Sequence, residues 1–228
     1  MSDTLFDNWT DRYDSWFDTP WGRQVKAYES RVLADLLAPR TGERILDAGC
    51  GTGIFTGDVL DAGVSVVGID LSRPMIEVAV RRHTGRPFTA LCTDLCRLPF
   101  PDNHFDRTFS MTAIEFVADA GIVIAELNRV TRPGGCIVVT TLNSLSPWAA
   151  QRREKAKSGH ALFRNMYFRS PDEMTALVPG TPAVRTAIHF KKSDPVSEIP
   201  AIESLGTSAT PDTGAFLAVQ WWKTADPT

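Results

Sequence analysis

Apolar residues recur every three or four positions at the start of the chain. Phe6, Trp9, Tyr13 and Trp16/Phe17 share one helical face until Thr19-Pro20 interrupts it, and Val25, Tyr28, Val32 and Leu36 repeat the spacing as far as Pro39. Two amphipathic helices are predicted. After residue 40 the period changes. Arg44-Ile45-Leu46-Asp47-Ala48 reads as a short buried strand, followed by a glycine-rich turn and a helix closing near Gly63. Val64 to Ile69 predicts a second strand, and Ser72 as cap with Pro74 in the first turn opens a helix ending at Gly85. Phe88 to Leu91 reads as a third strand and, after the turn-rich stretch 99–106, Arg107 to Thr112 as a fourth. A helix around 118–130 and the turn Arg132-Pro133-Gly134-Gly135 lead into a strand over Cys136 to Thr141.

Strands alternating with helices at this rhythm build right-handed βαβ units, hence a mostly parallel sheet covered on both faces. The last third differs. Residues 143–169 read as a partly helical insertion, Ser170-Pro171-Asp172-Glu173 starts a short helix, and Val184 to Phe190 and Phe216 to Trp222 read as strands. The intervening Pro/Ser/Thr-rich stretch 191–215 shows no helical period, so these two strands are expected to pair antiparallel. No repeat or low-complexity linker divides the 228 residues. One domain is expected, with a helical lead-in over 1–40, a core over 41–142 and a third part over 143–228.

Composition narrows the functional classes. Hydrophobic residues at 43% and charged residues at 22% are ordinary globular values and exclude disordered or fibrous chains. No apolar run approaches the roughly 18 residues that would cross a bilayer. Asp3, Asp7, Asp11, Arg12, Asp14 and Asp18 stand where a secretory leader would be apolar, so a cytoplasmic location without a membrane partner is expected. A net charge of −3 weighs against a protein that grips nucleic-acid phosphates. Cys50, Cys92, Cys96 and Cys136 lack paired zinc-ligand spacings and are read as small apolar residues on or beside buried strands; no metal is expected. The sequon Asn8-Trp9-Thr10 has no meaning without a secretory route. His83, near a helix end, and His104, in a turn, read as surface residues.

The sharpest chemical signal is ILDAGCGTG, Ile45 to Gly53. A buried strand ends in Asp47, and Gly49, Gly51 and Gly53 let the chain turn tightly and pass close to a ligand. In a doubly wound sheet nucleotide cofactors bind at this place. A dinucleotide fingerprint needs a small third residue, but the position five after Gly49 is Ile54; a phosphate loop needs Gly-Lys-Ser/Thr, which is absent. Asp47 would repel a pyrophosphate and welcome an ammonium group. Asp70, ending the second strand 17 residues after Gly53, suits both hydroxyls of a ribose or, alternatively, a helix cap, although Ser72 already supplies one. Asp94-Leu95 offers a carboxylate for an adenine amino group beside an apolar wall.

Together these stretches resemble the class I S-adenosylmethionine-dependent methyltransferases, most closely the small-molecule group that includes quinone-biosynthesis C-methyltransferases. The resemblance covers roughly residues 40–142 and rests on ILDAGCGTG, VVGIDLSRPMIEVA, CTDLCRLPFPDNHFD and ELNRVTRPGGCIVVTT. It implies a Rossmann-like doubly wound sheet of seven mostly parallel strands with an antiparallel last strand, and S-adenosylmethionine as cofactor. Carried over, Gly49, Cys50, Gly51 and Gly53 form the cofactor turn, although the small size of Cys50 in a crowded turn explains it as well. Asp47 sits near the methionine amino group, Asp70 binds the ribose with Leu71 and Met75 flanking, Asp94 and Leu95 take the adenine, and Ser110-Met111-Thr112 faces the transferred methyl. FDNWTDRYDSWFDTPWG resembles the group's aromatic lead-in, which makes Tyr13 a lid residue; a helix simply packing on the sheet is the other reading.

Methyl transfer from a sulfonium requires alignment, exclusion of water and, for a protic acceptor, removal of a proton. Where this group often has a histidine after the fourth strand, the chain has Glu115, which reads either as the base or as a helix-start carboxylate held by the helix dipole. A small-molecule acceptor should meet the cofactor beside 143–169, whose Trp148, His160, Phe163, Tyr167 and Phe168 alternate with Arg152, Arg153, Lys155 and Lys157. That mixture suits an anionic or aromatic acceptor, or else a solvated helix face. A nicotinamide oxidoreductase and a non-catalytic S-adenosylmethionine-binding protein stay open on the same fold.

Overall fold

The structure, a computed structural model, describes residues 6–7 and 9–224. Residues 1–5 of the lead-in and Asn8 of the sequon lie outside the described residues. Strands β1 (Arg44–Ala48), β2 (Ser65–Asp70), β3 (Phe88–Cys92), β4 (Phe105–Ser110), β5 (Thr131–Leu142), β6 (Ala183–Ala187) and β7 (Phe216–Trp222) form one sheet in the order β3-β2-β1-β4-β5-β7-β6. The first five pair parallel, whereas β7 runs antiparallel to both β5 and β6. This is the mostly parallel Rossmann-like sheet expected from the alternating elements.

Period-2 geometry divides each central strand between two cores. Ile45, Val66 and Val138 face one core with Leu33, Leu37 and Phe109, while their neighbours Leu46, Val67, Ile137 and Val139 face the other with Leu127 and Leu217. The first core is covered by α1 (Thr10–Phe17), α2 (Pro20–Leu37) and α3 (Thr56–Leu60). The second is covered by α5 (Ala120–Val130) and α8 (Pro171–Leu177). Helix α4 (Arg73–Arg82) opens as expected: the Ser72 hydroxyl accepts the Met75 N–H, and Pro74 lies in the first turn. Helices α6 (Pro147–Lys157) and α7 (Ala161–Arg164) account for most of the insertion after β5.

Four expectations need correction. The stretch 191–215 contains a helix, α9 (Ile199–Ala209). Its inward positions are Ile199, Ile202, Glu203 and Gly206, so only two apolar residues mark its buried face. Glu203 accepts the Ile188 and His189 N–H groups at 2.8 Å each, and any side chain at position 206 would overlap His189. The preceding strand stops at Ala187 rather than running to Phe190, because Ile188 turns into positive φ (68°). Finally, His83 is not a surface residue, and His104 is only partly one. His83 is 4% exposed against Gly53, and His104 is half-buried, stacked on Phe100. Cys92, expected beside buried structure, is exposed, because β3 forms the sheet edge.

Candidate active site

The carboxyl ends of β1, β2 and β4 open into one cavity of about 550 Å³. Its floor is built by Gly49 and Gly51 after β1, Asp70 ending β2 with Leu71 and Ser72 after it, Asp94 and Leu95 after β3, and Met111, Thr112 and Ala113 after β4. Gly49 and Gly51 have φ of 82° and 52°, the region where a Cβ is disfavoured, and a methyl on Gly49 would overlap Ala113. The loop therefore exposes backbone at the cavity, as close approach to a ligand requires.

Asp70 organises this floor. Its Oδ2 accepts the Gly51 N–H (2.9 Å) and its Oδ1 the Ser72 N–H (2.8 Å), so the carboxylate ties the glycine loop to the start of α4. Burial raises its pKa, while the amides of Ser72, Gly51 and Leu71 pull it back. Asp94 Oδ1 accepts the Cys96 N–H at 2.8 Å.

Three predicted residues stand behind the cavity rather than along it. Asp47 is buried, with Oδ2 accepting from Thr56 Oγ1 at 2.6 Å, and burial pushes its carboxyl up to about 7. Its Oδ1 has no hydrogen-bond partner among the described residues. Cys50 packs on Ile76 and Ala79. The Gly53 carbonyl lies 2.8 Å from His83 Nε2, and a methyl at 53 would crowd the same ring. The other ten predicted residues, from Tyr13 to Glu115, line the cavity.

Helix α1 covers the floor. Asp14 accepts from Thr52 Oγ1 at 2.7 Å and from Arg82 Nη2 at 2.5 Å, fastening the helix to the glycine loop and to α4. Asp7 Oδ1 accepts from Ser72 Oγ at 2.7 Å. Tyr13 is held edge-on by Phe17, and burial, with Glu29, Glu115 and Asp14 nearby, keeps its phenol protonated. This clamp was not foreseen, since Asp14 and Arg82 are 68 positions apart.

Glu115 lies in a short 3₁₀ turn, Ile114–Phe116, and Arg169 holds the turn and the residue after it, Nη1 donating to the Ile114 carbonyl at 3.0 Å and Nη2 to the Val117 carbonyl at 2.8 Å. The next helix starts only at Ala120 with Asp119 as its cap, so Glu115 belongs to the first turn of this 3₁₀ segment and not to that helix. Its Oε2 accepts from Thr141 Oγ1 at 3.4 Å. Burial pushes the carboxyl up to about 7, against the opposing pull of its backbone hydrogen bond and Arg152. Glu29, which sequence reasoning missed, faces the same space and is pushed by burial up to about 8. Its signal was present: it lies four residues after Val25 and four before Leu33, on the buried face of α2.

Residues 46–139 match the family model of the methyltransferase domain. Malonyl-[acyl-carrier protein] O-methyltransferase of Pseudescherichia vulneris is 38% identical over 133 residues, covering 54% of this chain and 52% of that protein. Demethylmenaquinone methyltransferase of Beutenbergia cavernae is 38% identical over 145 residues, covering 64% and 59%. The chain thus spans little more than half the length of these curated relatives. A crystal structure from Thermotoga maritima, described as an S-adenosylmethionine-dependent methyltransferase and possible histamine N-methyltransferase, superposes with a TM-score of 0.77 at 23% identity, covering 96% of this chain and 98% of that one. Phosphoethanolamine N-methyltransferase 2 of Haemonchus contortus, solved with S-adenosylhomocysteine, gives 0.65 at 18% identity, covering 97% and 61%. These two likenesses carry the fold. Residues 46–139 supply the whole cavity floor, and the segments on either side of them supply the remaining lining.

Proposed function

We propose that this protein transfers a methyl group from S-adenosylmethionine to a small-molecule acceptor by direct in-line displacement. The observation that carries the reading is the single cavity that runs from Gly49, Gly51, Asp70 and Asp94 to the buried carboxyl of Glu115. When bound, S-adenosylmethionine supplies an electrophilic methyl on a sulfonium with a good thioether leaving group.

The chain's residues fit that group. Asp70 and Asp94 offer acceptors for a ribose and an adenine, with Leu71, Met75 and Leu95 as apolar flanks. The unpartnered Oδ1 of Asp47, buried just behind the glycine loop, suits an ammonium donor. Tyr13, Trp9 and Trp16 on α1 close the cavity against water, and their electron-rich faces favour a sulfonium. Glu115 takes the acceptor proton: a carboxyl titrating near 7 is half ionised at neutral pH and balances base strength against availability.

The four free thiols suit a reducing compartment, and a cytoplasmic location belongs to this reading. Nothing in the cavity favours nicotinamide, and Ile54 packs into the core beside the loop. Calorimetry decides the cofactor: S-adenosylmethionine should bind and NAD should not, and the reverse would overturn the proposal. Formation of S-adenosylhomocysteine with a metabolite extract then tests turnover; cofactor binding without turnover across extract fractions would favour the non-catalytic reading.

A further inference from the structure

The basic run of α6 splits between two environments. Arg153 donates to the Ser144 carbonyl and lies 5.5 Å over Phe168, while Lys157 pairs with Glu154, so both serve the outside of the helix. Arg152 and Lys155, three positions apart, line the cavity instead. Lys192, from the segment after β6, joins them there. Arg152 and Lys192 lie 5.3 and 5.5 Å from the ring centre of Trp148, and Lys192 lies 5.5 Å from that of Trp16.

These three cations lack counter-charges in contact. None forms an ion pair with a described residue. Arg152 Nη1 is sealed from solvent without a hydrogen-bond partner. Glu29 and Glu115 line the same cavity and act on Arg152, but neither forms an ion pair with it, and burial pushes both carboxyls toward the neutral form. Lys192 is pushed down by burial and then by Arg152 and Lys155, the signature of like charges held together. A buried, unpaired donor beside converging cations is costly unless an anion completes it.

We propose that Arg152, Lys155 and Lys192 form an anion subsite that holds a carboxylate or phosphate of the methyl acceptor, with its apolar body against Trp16, Trp148 and Phe163. The guanidinium of Arg152 suits either anion through paired N–H donors, and the two lysines add charge without fixed geometry. The term acceptor rests on the methyltransferase reading; the subsite itself does not.

Three probes of one shape test it: 2-naphthoate, 2-naphthyl phosphate and the neutral 2-naphthamide, titrated by calorimetry with and without S-adenosylhomocysteine. At least one anion should bind about tenfold or more tightly than the amide, and the tighter of the two identifies the preferred group. Raising the salt concentration should reduce that preference. Arg152→Met and Lys192→Met should each reduce it while leaving S-adenosylhomocysteine affinity unchanged. Should Arg152→Met fail to fold, Lys192→Met and Lys155→Met carry the same comparison. An amide that binds within about threefold of both anions would overturn the subsite, as would a preference intact in the folded variants. Failure of S-adenosylhomocysteine to bind would instead strike the cofactor reading, leaving the titrations of the free protein to decide the subsite.

Discussion

Replacing Glu115 by Gln should weaken catalysis and strengthen the fold at the same time. The carboxyl is 1% exposed, and burial moves its titration from 4.5 to about 7. Ionising it inside the folded protein is therefore disfavoured by about 3 kcal/mol relative to the unfolded chain. Because the folded value is the higher one, this carboxyl favours folding most below pH 4.5, and that advantage fades as pH rises to about 7. An amide never ionises. Glu115→Gln should thus gain on the parent as pH rises from about 4.5 to about 7, by an amount approaching about 3 kcal/mol. Turnover, read as S-adenosylhomocysteine release, should fall by about 10²–10⁴ if Glu115 removes the proton, and the parent's rate should rise with pH through about 7. Thermal melts from pH 5 to 8.5 and rates on the same samples check both parts. A variant with near-normal turnover would remove Glu115 from the proton transfer, and identical melting curves at pH 8 would contradict the buried acid.

Three further changes probe other parts of the site. Asp70→Ala should lower S-adenosylhomocysteine affinity about ten- to a hundredfold by calorimetry, since it loses hydrogen bonds to a charged acceptor and frees the Gly51 and Ser72 amides it holds. Unchanged affinity in the folded variant would refute the ribose assignment. Asp14→Ala should release α1 from Thr52 and Arg82, so that amides of 10–17 exchange faster and the protection added by S-adenosylhomocysteine shrinks; equal exchange in variant and parent would mean that the clamp does not hold the lid. Gly206→Ala should destabilise the protein by about 1–3 kcal/mol through overlap with His189, without altering cofactor affinity, and an unchanged melting temperature would contradict the close packing of α9 on β6.

Local chemistry wrote most of the framework into the chain. The switch from a period of three or four to buried runs near residue 44 marks where the helical lead-in gives way to the sheet, because a strand buried on both faces must be apolar at successive positions. The glycines at 49 and 51 and the carboxylates at 70 and 94 follow the ends of successive parallel strands, so short-range order alone brings them to one edge. Helix α9 was hidden for the opposite reason. Its inward face consists of two isoleucines near its start, a glutamate that serves two backbone amides and a glycine against His189, so the apolar spacing stops after a single turn.

The tertiary structure decided which residues of each motif face the cavity and what charge they carry. Asp47, Cys50 and Gly53 belong to the same motif as Gly49 and Gly51, yet the turn carries them behind it, onto Thr56, Ile76 and His83. In the same way α6 sends Arg152 and Lys155 inward and Arg153 and Lys157 outward, a division set by how the helix docks. The raised carboxyls of Glu29 and Glu115 and the clamp of Asp14 on Arg82 depend on burial and on contacts between distant segments. Desolvation and long-range contact are properties of the packed molecule, and sequence period and local spacing encode neither.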